Sequence, residues 1–242
     1  HWTKPAMDSR KYLSVGYRKM FAPAYLKVEQ IKKTPAFGKV TSYSLRYPVV
    51  LGPAEKRKDP KDVAPLLEIV HPLSVLLRLF GEPEWCSFAR TKVDGPGDIV
   101  MTFTHRNGIV GTMHLTGNQA PTSPLERLEV IGTGANVVVE NCTRLTYYRP
   151  GGSRGEGQSG RVASYIGPDD TAPIIWEPEF CLGQLYNKQL FLQGYVGCLQ
   201  YFAEMHLAKT PPRWGNLVDT ANIMGLVDDL RDGNEREWIK LG

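Results

Sequence analysis

IVMTFTHRNGIVGTMHLT, Ile99 to Thr116, alternates large apolar and small polar residues on both sides of an Asn-Gly pair. A period of two is the signature of strands, and Asn-Gly between two such runs marks a hairpin. The register follows from which side chains must share a face. A two-residue loop pairs Phe103 with Thr112 and mixes apolar with polar on each side. A three-residue loop, Arg106-Asn107-Gly108, pairs Phe103 with Gly111, Met101 with Met113 and Ile99 with Leu115, which gathers the large apolar groups. The sequence therefore predicts the three-residue loop, with Gly108 left-handed in a bulge. The opposite face then carries Val100, Thr102, Thr104, Val110, Thr112, His114 and Thr116, a β-branched and half-polar surface suited to solvent or to a subunit contact.

The same period extends to either side. Trp85 to Lys92, Glu126 to Ile131, Ala135 to Glu140 and Thr143 to Arg149 read as further strands separated by Gly, Pro or Asn turns. Upstream lies PLLEIVHPLSVLLRLFG, Pro65 to Gly81, the longest apolar run in the chain. Its polar members, Glu68, His71, Ser74 and Arg78, share one stripe of a helix that is otherwise apolar and so mostly buried. Pro72 removes a backbone donor, so the helix either kinks there or begins anew with Pro72 in its first turn. Either way His71 stands at a break. On the residues alone it reads as a core histidine bonded to a freed carbonyl or as a group facing a cavity.

At the start of the chain Tyr12 to Tyr17 reads as a short strand, a helix runs from Ala22-Pro23 to about Thr34, and Lys39 to Tyr47 alternates as a strand. Tyr25, Val28 and Ile31 mark that helix's inward face. A polar segment from Val50 to Ala64 follows. At the far end one helix spans about Gln189 to Lys209, with Leu192, Tyr195, Val196, Leu199 and Phe202 in a stripe, and Pro211-Pro212 stops it. Asn216 caps a second helix with Asp219 at its third position and Ile223, Leu226, Val227 and Leu230 facing inward; Gly233 ends it, and Glu237 to Leu241 is a last short strand. Gly155 to Gly160 formally matches a dinucleotide fingerprint, but proline and glycines precede it and no helix-forming stretch follows, so the segment Pro150 to Arg161 reads as a surface loop.

Composition narrows the function. With 242 residues and 42% hydrophobic content the chain can bury a sizeable core. No run approaches the roughly 20 apolar residues of a membrane helix. Lys56-Arg57-Lys58 is interleaved with Asp59 and Asp62 and reads as a solvated loop, which together with a net charge of +4 gives no support for nucleic-acid binding. The four cysteines, Cys86, Cys142, Cys181 and Cys198, lack metal-site spacing and suit reduced thiols in a cytoplasmic protein.

The order of elements, a strand, a helix, a strand, a histidine-bearing helix, an antiparallel meander and two closing helices, makes an α+β domain with a large, predominantly antiparallel open sheet and helices on one face. Ser14 to Tyr25, SVGYRKMFAPAY, resembles the VGYNRRFxPxY motif that opens the C-terminal domain of the glucose-fructose oxidoreductase, inositol dehydrogenase and rhizopine catabolism (Gfo/Idh/MocA) family. Gly38-Lys39-Val40 resembles the next strand start, His71 falls where that family has the histidine of a DxxxHxxD helix, and Phe202 to Ile239 is similar to its closing helices and final strand.

The resemblance implies residues 12–242 as a substrate-binding and oligomerising domain, with residues 1–11 a remnant or linker from a Rossmann domain that this chain does not contain. It implies NAD or NADP as cofactor, bound mainly by that other domain, a sugar or polyol as substrate, and homo-oligomers formed through the sheet. His71 becomes the candidate base and Lys4, in Thr3-Lys4-Pro5, the cation beside the alcohol oxygen, with Lys4 and Pro5 at the cofactor side. Tyr17, Arg18, Lys19, Glu68 and Ser74 are the implied substrate-side residues. The sequence departs from the pattern in having TKP for EKP, Lys19 and Met20 for two arginines, and Leu67 and Ser74 at the aspartate positions. An alternative is a non-catalytic scaffold or assembly domain that keeps the fold.

Overall fold

The computed structural model describes residues 12–49, 68–91, 93, 97–150, 172–178, 188–232 and 236–241. Lys4, Pro5, the segment Val50 to Ala64, Leu67, Cys181, Gly233 and the glycine-rich run from Gly151 lie outside them.

The strands are β1 (Val40–Pro48), β2 (Pro83–Arg90), β3 (Asp98–His105), β4 (Val110–Thr116), β5 (Arg127–Gly132), β6 (Asn136–Glu140), β7 (Arg144–Tyr148), β8 (Ile174–Trp176) and β9 (Ile239–Lys240). They form one open sheet in the order β8-β7-β6-β5-β1-β4-β3-β2-β9. The β3–β4 hairpin has the register that its side chains demand: Phe103 faces Gly111, Met101 faces Met113 and Ile99 faces Leu115. His105 donates its backbone N–H to the Ile109 carbonyl at 2.9 Å, and Gly108 has φ +83°, closing a three-residue loop. Gly111 is a close-approach site, since a Cβ there would stand 2.0 Å from the Tyr43 ring. That ring stacks on Phe80 at 4.1 Å between centroids.

Helices cover the inner face: a 3-10 turn (Arg18–Phe21), then α1 (Pro23–Ile31), α2 (Val70–Phe80), α3 (Lys188–Leu192), α4 (Tyr195–Leu207) and α5 (Leu217–Asp232). Pro23 sits at the start of α1, where its fixed φ fits and its missing N–H has no intrahelical partner to lose. α2 begins at Val70, so Pro72 falls within its first turn and the helix runs on unkinked by it. Gly81, with φ +82°, closes α2 by donating to the Leu77 carbonyl at 2.9 Å. Asn216 Oδ1 accepts from the N–H groups of Val218 (2.8 Å) and Asp219 (2.9 Å) to cap α5, while Asp219 reaches back to the Gly215 N–H at 2.7 Å. Ile223, Leu226, Val227 and Leu230 are buried beneath it.

The structure corrects three expectations. Tyr12 to Tyr17 is not a strand: it follows the α4–α5 connection, with Val15 donating to the Gly215 carbonyl at 2.7 Å and Tyr12 Oη to the Lys209 carbonyl, so no ladder forms. The helix expected from Gln189 to Lys209 is two helices, broken at Gly194, whose φ is +84°. A Cβ at Gly194 would lie 2.0 Å from the Arg18 carbonyl oxygen, so the chain bends to let the 3-10 turn approach. The apolar stripe read there is not one buried face, for Leu192 is buried while Leu199 is 72% exposed. The predominantly antiparallel open sheet is as expected; within it β1 enters the middle, parallel to β4 and antiparallel to β5, and β8 extends the edge beyond β7.

Candidate active site

Position 71 lies in the first turn of α2, directly after a 3-10 step at Glu68 and Ile69. His71 Nδ1 is buried and makes no hydrogen bond. Burial lowers the pKa of this imidazole, the Arg18 guanidinium lowers it further, and Glu68 opposes them. At neutral pH the ring is therefore an uncharged proton acceptor. The Ser74 hydroxyl, fully buried, donates to the His71 carbonyl at 2.7 Å rather than to the ring.

Lys19 and Glu126, whose charges reach His71, belong to a buried polar cluster. Glu126 accepts hydrogen bonds from Lys19 Nζ and from Tyr25 Oη, and Cys142 Sγ lies 3.5 Å from Glu126 Oε1 and 3.5 Å from Lys19 Nζ. Burial disfavours the Lys19 ammonium, but Glu126 opposes this and its pKa is raised. Burial beside Glu126 pushes the Cys142 thiol up to about 12. The turn that delivers Cys142 is strained: Asn141 and Cys142 have φ of 50° and 58°. It is held in place by Asn141, which donates its N–H to the Glu126 carbonyl at 2.9 Å and accepts from the Glu126 N–H at 3.0 Å through Oδ1. Tyr47 carries Lys19 Nζ over its ring at 5.8 Å, and its phenol feels Glu126, Arg18 and Glu68, the same charges that act on His71.

The residues singled out in the sequence thus fall into two groups. Arg18, Lys19 and Glu68 all act electrostatically on His71. Among them Lys19 is 5% exposed and turned to Glu126, Glu68 is exposed, and Arg18 bridges outward, donating to the Gln193 carbonyl (3.4 Å) and Oε1 (3.3 Å) and stacking 4.4 Å over Tyr195. Tyr17 is buried against the start of α5, where Thr220 and Asp219 set the environment of its hydroxyl. Glu126, Tyr47 and Cys142 escape sequence reading. A lone glutamate after a Thr-Ser-Pro turn has no spacing that ties it to a lysine 107 positions away.

No protein-family model and no curated relative matches the sequence, so the likeness to known proteins is structural. An oxidoreductase from Agrobacterium radiobacter in complex with NAD+, L-tartaric acid and magnesium superposes with TM-score 0.71 at 12% identity, over 99% of this chain and 68% of that one. A dehydrogenase from Chromobacterium violaceum does so with TM-score 0.73 at 12% identity, over 93% and 62%. The neighbours are oxidoreductases of the Gfo/Idh/MocA type. The chain has the fold of their C-terminal domain. Levoglucosan dehydrogenase in complex with NADH and levoglucosan superposes with TM-score 0.67 at 13% identity, over 98% of this chain and 68% of that one. The chain accordingly spans about two thirds of the length of these structures. Among its described residues no helix is long and apolar enough to cross a membrane.

Proposed function

We propose that the chain is the substrate-binding domain of a cytoplasmic NAD(P)-dependent oxidoreductase that acts on a CH–OH group of a sugar or polyol, with His71 as general base. The observation that carries the reading is the buried imidazole nitrogen without a partner, held neutral by its surroundings. A base of this kind takes a hydroxyl proton as the carbinol carbon is oxidised. Bound nicotinamide would supply the hydride acceptor, and on resemblance a Rossmann domain would hold it. The cations of this chain support the same chemistry: Arg18 and, more weakly, Lys19 oppose protonation of His71. Lys4 and Pro5 are proposed on resemblance as the cofactor-side residues, with Lys4 beside the alcohol oxygen.

Joined to a Rossmann domain, the chain is expected to turn over an NAD(P)-linked polyol substrate, and His71→Ala to lose about 10²-fold or more in kcat. Turnover undiminished in His71→Ala would remove the imidazole from the mechanism. A second reading, a scaffold that keeps the fold without catalysis, is favoured by Ser74, whose hydroxyl is bonded to backbone so that it does not orient the ring. Wild-type turnover in the joined protein would eliminate it.

Self-association through the outer sheet face belongs to the same proposal. Ser44, Thr112, Thr102 and Ser87 form a continuous cross-strand row over β1, β4, β3 and β2. Val100 (46% exposed) and Val110 (45%) flank that row, a pattern suited to a partly apolar contact.

A further inference from the structure

The two cations that open the 3-10 turn have different surroundings. Lys19 is matched in the interior by the Glu126 carboxylate. Arg18, half-buried, has neutral partners: its Nη1 donates to the Gln193 carbonyl at 3.4 Å and to Gln193 Oε1 at 3.3 Å, and its guanidinium lies 4.4 Å over the Tyr195 ring. Among the described residues no carboxylate stands within ion-pair distance of it, unlike Lys33, Arg78 and Arg127. These bonds engage Nη1 alone, so Nε and Nη2 keep N–H groups for a planar acceptor such as a carboxylate. The Tyr195 ring and Gln193 also fix the plane of the guanidinium in advance, which lowers the ordering cost of binding. Its place is beside the candidate base. α2, which carries His71 in its first turn, packs on the 3-10 turn that begins at Arg18, and of the charges that act on the imidazole that of Arg18 is the strongest. The other charged groups acting on the ring are the exposed Glu68 and the Lys19–Glu126 pair. The sequence sets this residue apart as well: Arg18 stands where the VGYNRRFxPxY motif has asparagine, so the cation is a feature of this chain and not of the motif.

Resting on the reading of His71 as general base, we propose that the substrate is a sugar acid, with Arg18 receiving its carboxylate while His71 takes the proton of the hydroxyl to be oxidised. A single guanidinium matches a single negative charge, and the exposed Glu68 carboxylate disfavours a dianion such as a phosphate ester. The carboxylate takes no part in the chemistry; held by Arg18, it sets which hydroxyl lies at the imidazole.

The test is calorimetric titration of the full chain, which needs no turnover, with D-gluconate, with glucitol as its uncharged counterpart and with glucose 6-phosphate as the dianion. Gluconate is expected to bind with a Kd below about 10 mM, and about tenfold or more tightly than glucitol or the phosphate. Arg18→Gln is expected to remove that preference with its circular dichroism unchanged, and Arg18→Lys, which keeps the charge without the fork, to restore part of it. A bound carboxylate also offsets the guanidinium at the ring. The His71 pKa, followed by NMR and assigned by loss of its resonance in His71→Asn, is therefore expected to rise with gluconate and not with glucitol. That shift is read in the unsubstituted protein and decides the matter should the Arg18 variants fail to fold. Absence of gluconate binding at about 50 mM, equal or tighter binding of glucitol or the phosphate, an undiminished preference in folded Arg18→Gln, or a His71 pKa unmoved by gluconate overturns the proposal. Glucitol bound and oxidised with no preference for gluconate would overturn it while leaving the oxidoreductase reading intact. A preference for gluconate without turnover in the joined protein would remove that reading and leave the carboxylate site.

Discussion

Burial and the Arg18 guanidinium hold the His71 pKa below its ordinary value of 6.5, and burial does the same for His105. Both groups bind protons more weakly folded than unfolded, so the stability they contribute is complete above about pH 6.5 and is lost as pH falls through the folded values. Thermal melts from pH 8 to 5 should show this acid-side loss, reduced in His71→Asn. In the joined enzyme, kcat/KM should rise with pH through an apparent pKa under 6.5, and Arg18→Gln should move that value upward. Glu126→Ala strands the Lys19 ammonium in a site where it is 5% exposed. Loss of one partner of a buried pair costs about 3–5 kcal/mol, readable as a lower urea midpoint at unchanged m. His71 was legible as a residue of interest because an apolar helix isolates it. Lys19 was legible only as a charge in a motif; its pairing depends on a turn at Asn141 and Cys142 whose left-handed backbone is a known preference of asparagine but not of cysteine.

Two glycines show what an element asks of its sequence. Gly108 and Gly194 share a positive φ, but a Cβ at Gly108 meets open space whereas one at Gly194 meets the Arg18 carbonyl oxygen at 2.0 Å and the Ala22 nitrogen at 2.7 Å. Gly108→Ala should therefore cost only the left-handed penalty, about 1–2 kcal/mol. Gly194→Ala should cost more, because the 3-10 turn must also retreat, and chemical denaturation of the pair side by side checks the order. The hairpin around Gly108 could be read in advance since its partners are neighbours in sequence and a one-residue slip reverses every side chain. The break at Gly194 could not, since its cause is a carbonyl from the other end of the chain. The same holds for Tyr12 to Tyr17, whose alternation mimics a strand although its backbone partner is Gly215.

For the whole molecule, the class of architecture followed from the succession of periods, a two-residue meander from Trp85 to Arg149 set between helical stretches, but the strand order did not. Nothing local announces that β1 pairs in parallel with β4 while lying antiparallel to β5. The outer face of these central strands sets the expected assembly: light scattering should give a dimer or larger species at micromolar concentration, and Thr112→Arg, in the middle of the Ser44-Thr112-Thr102-Ser87 row, should shift it toward monomer. A monomer mass unaffected by the substitution would count against the contact. The central placement of β1 also has a kinetic price for synthesis. As the nascent polypeptide leaves the ribosome, Val40–Pro48 emerges with both edges bare, and neither neighbour exists until Val110–Thr116 and Arg127–Gly132 have been translated. Through that interval it is an orphan ribbon open to strangers, so holdase protection early in translation should matter more for soluble yield here than in a sheet laid down in sequence order.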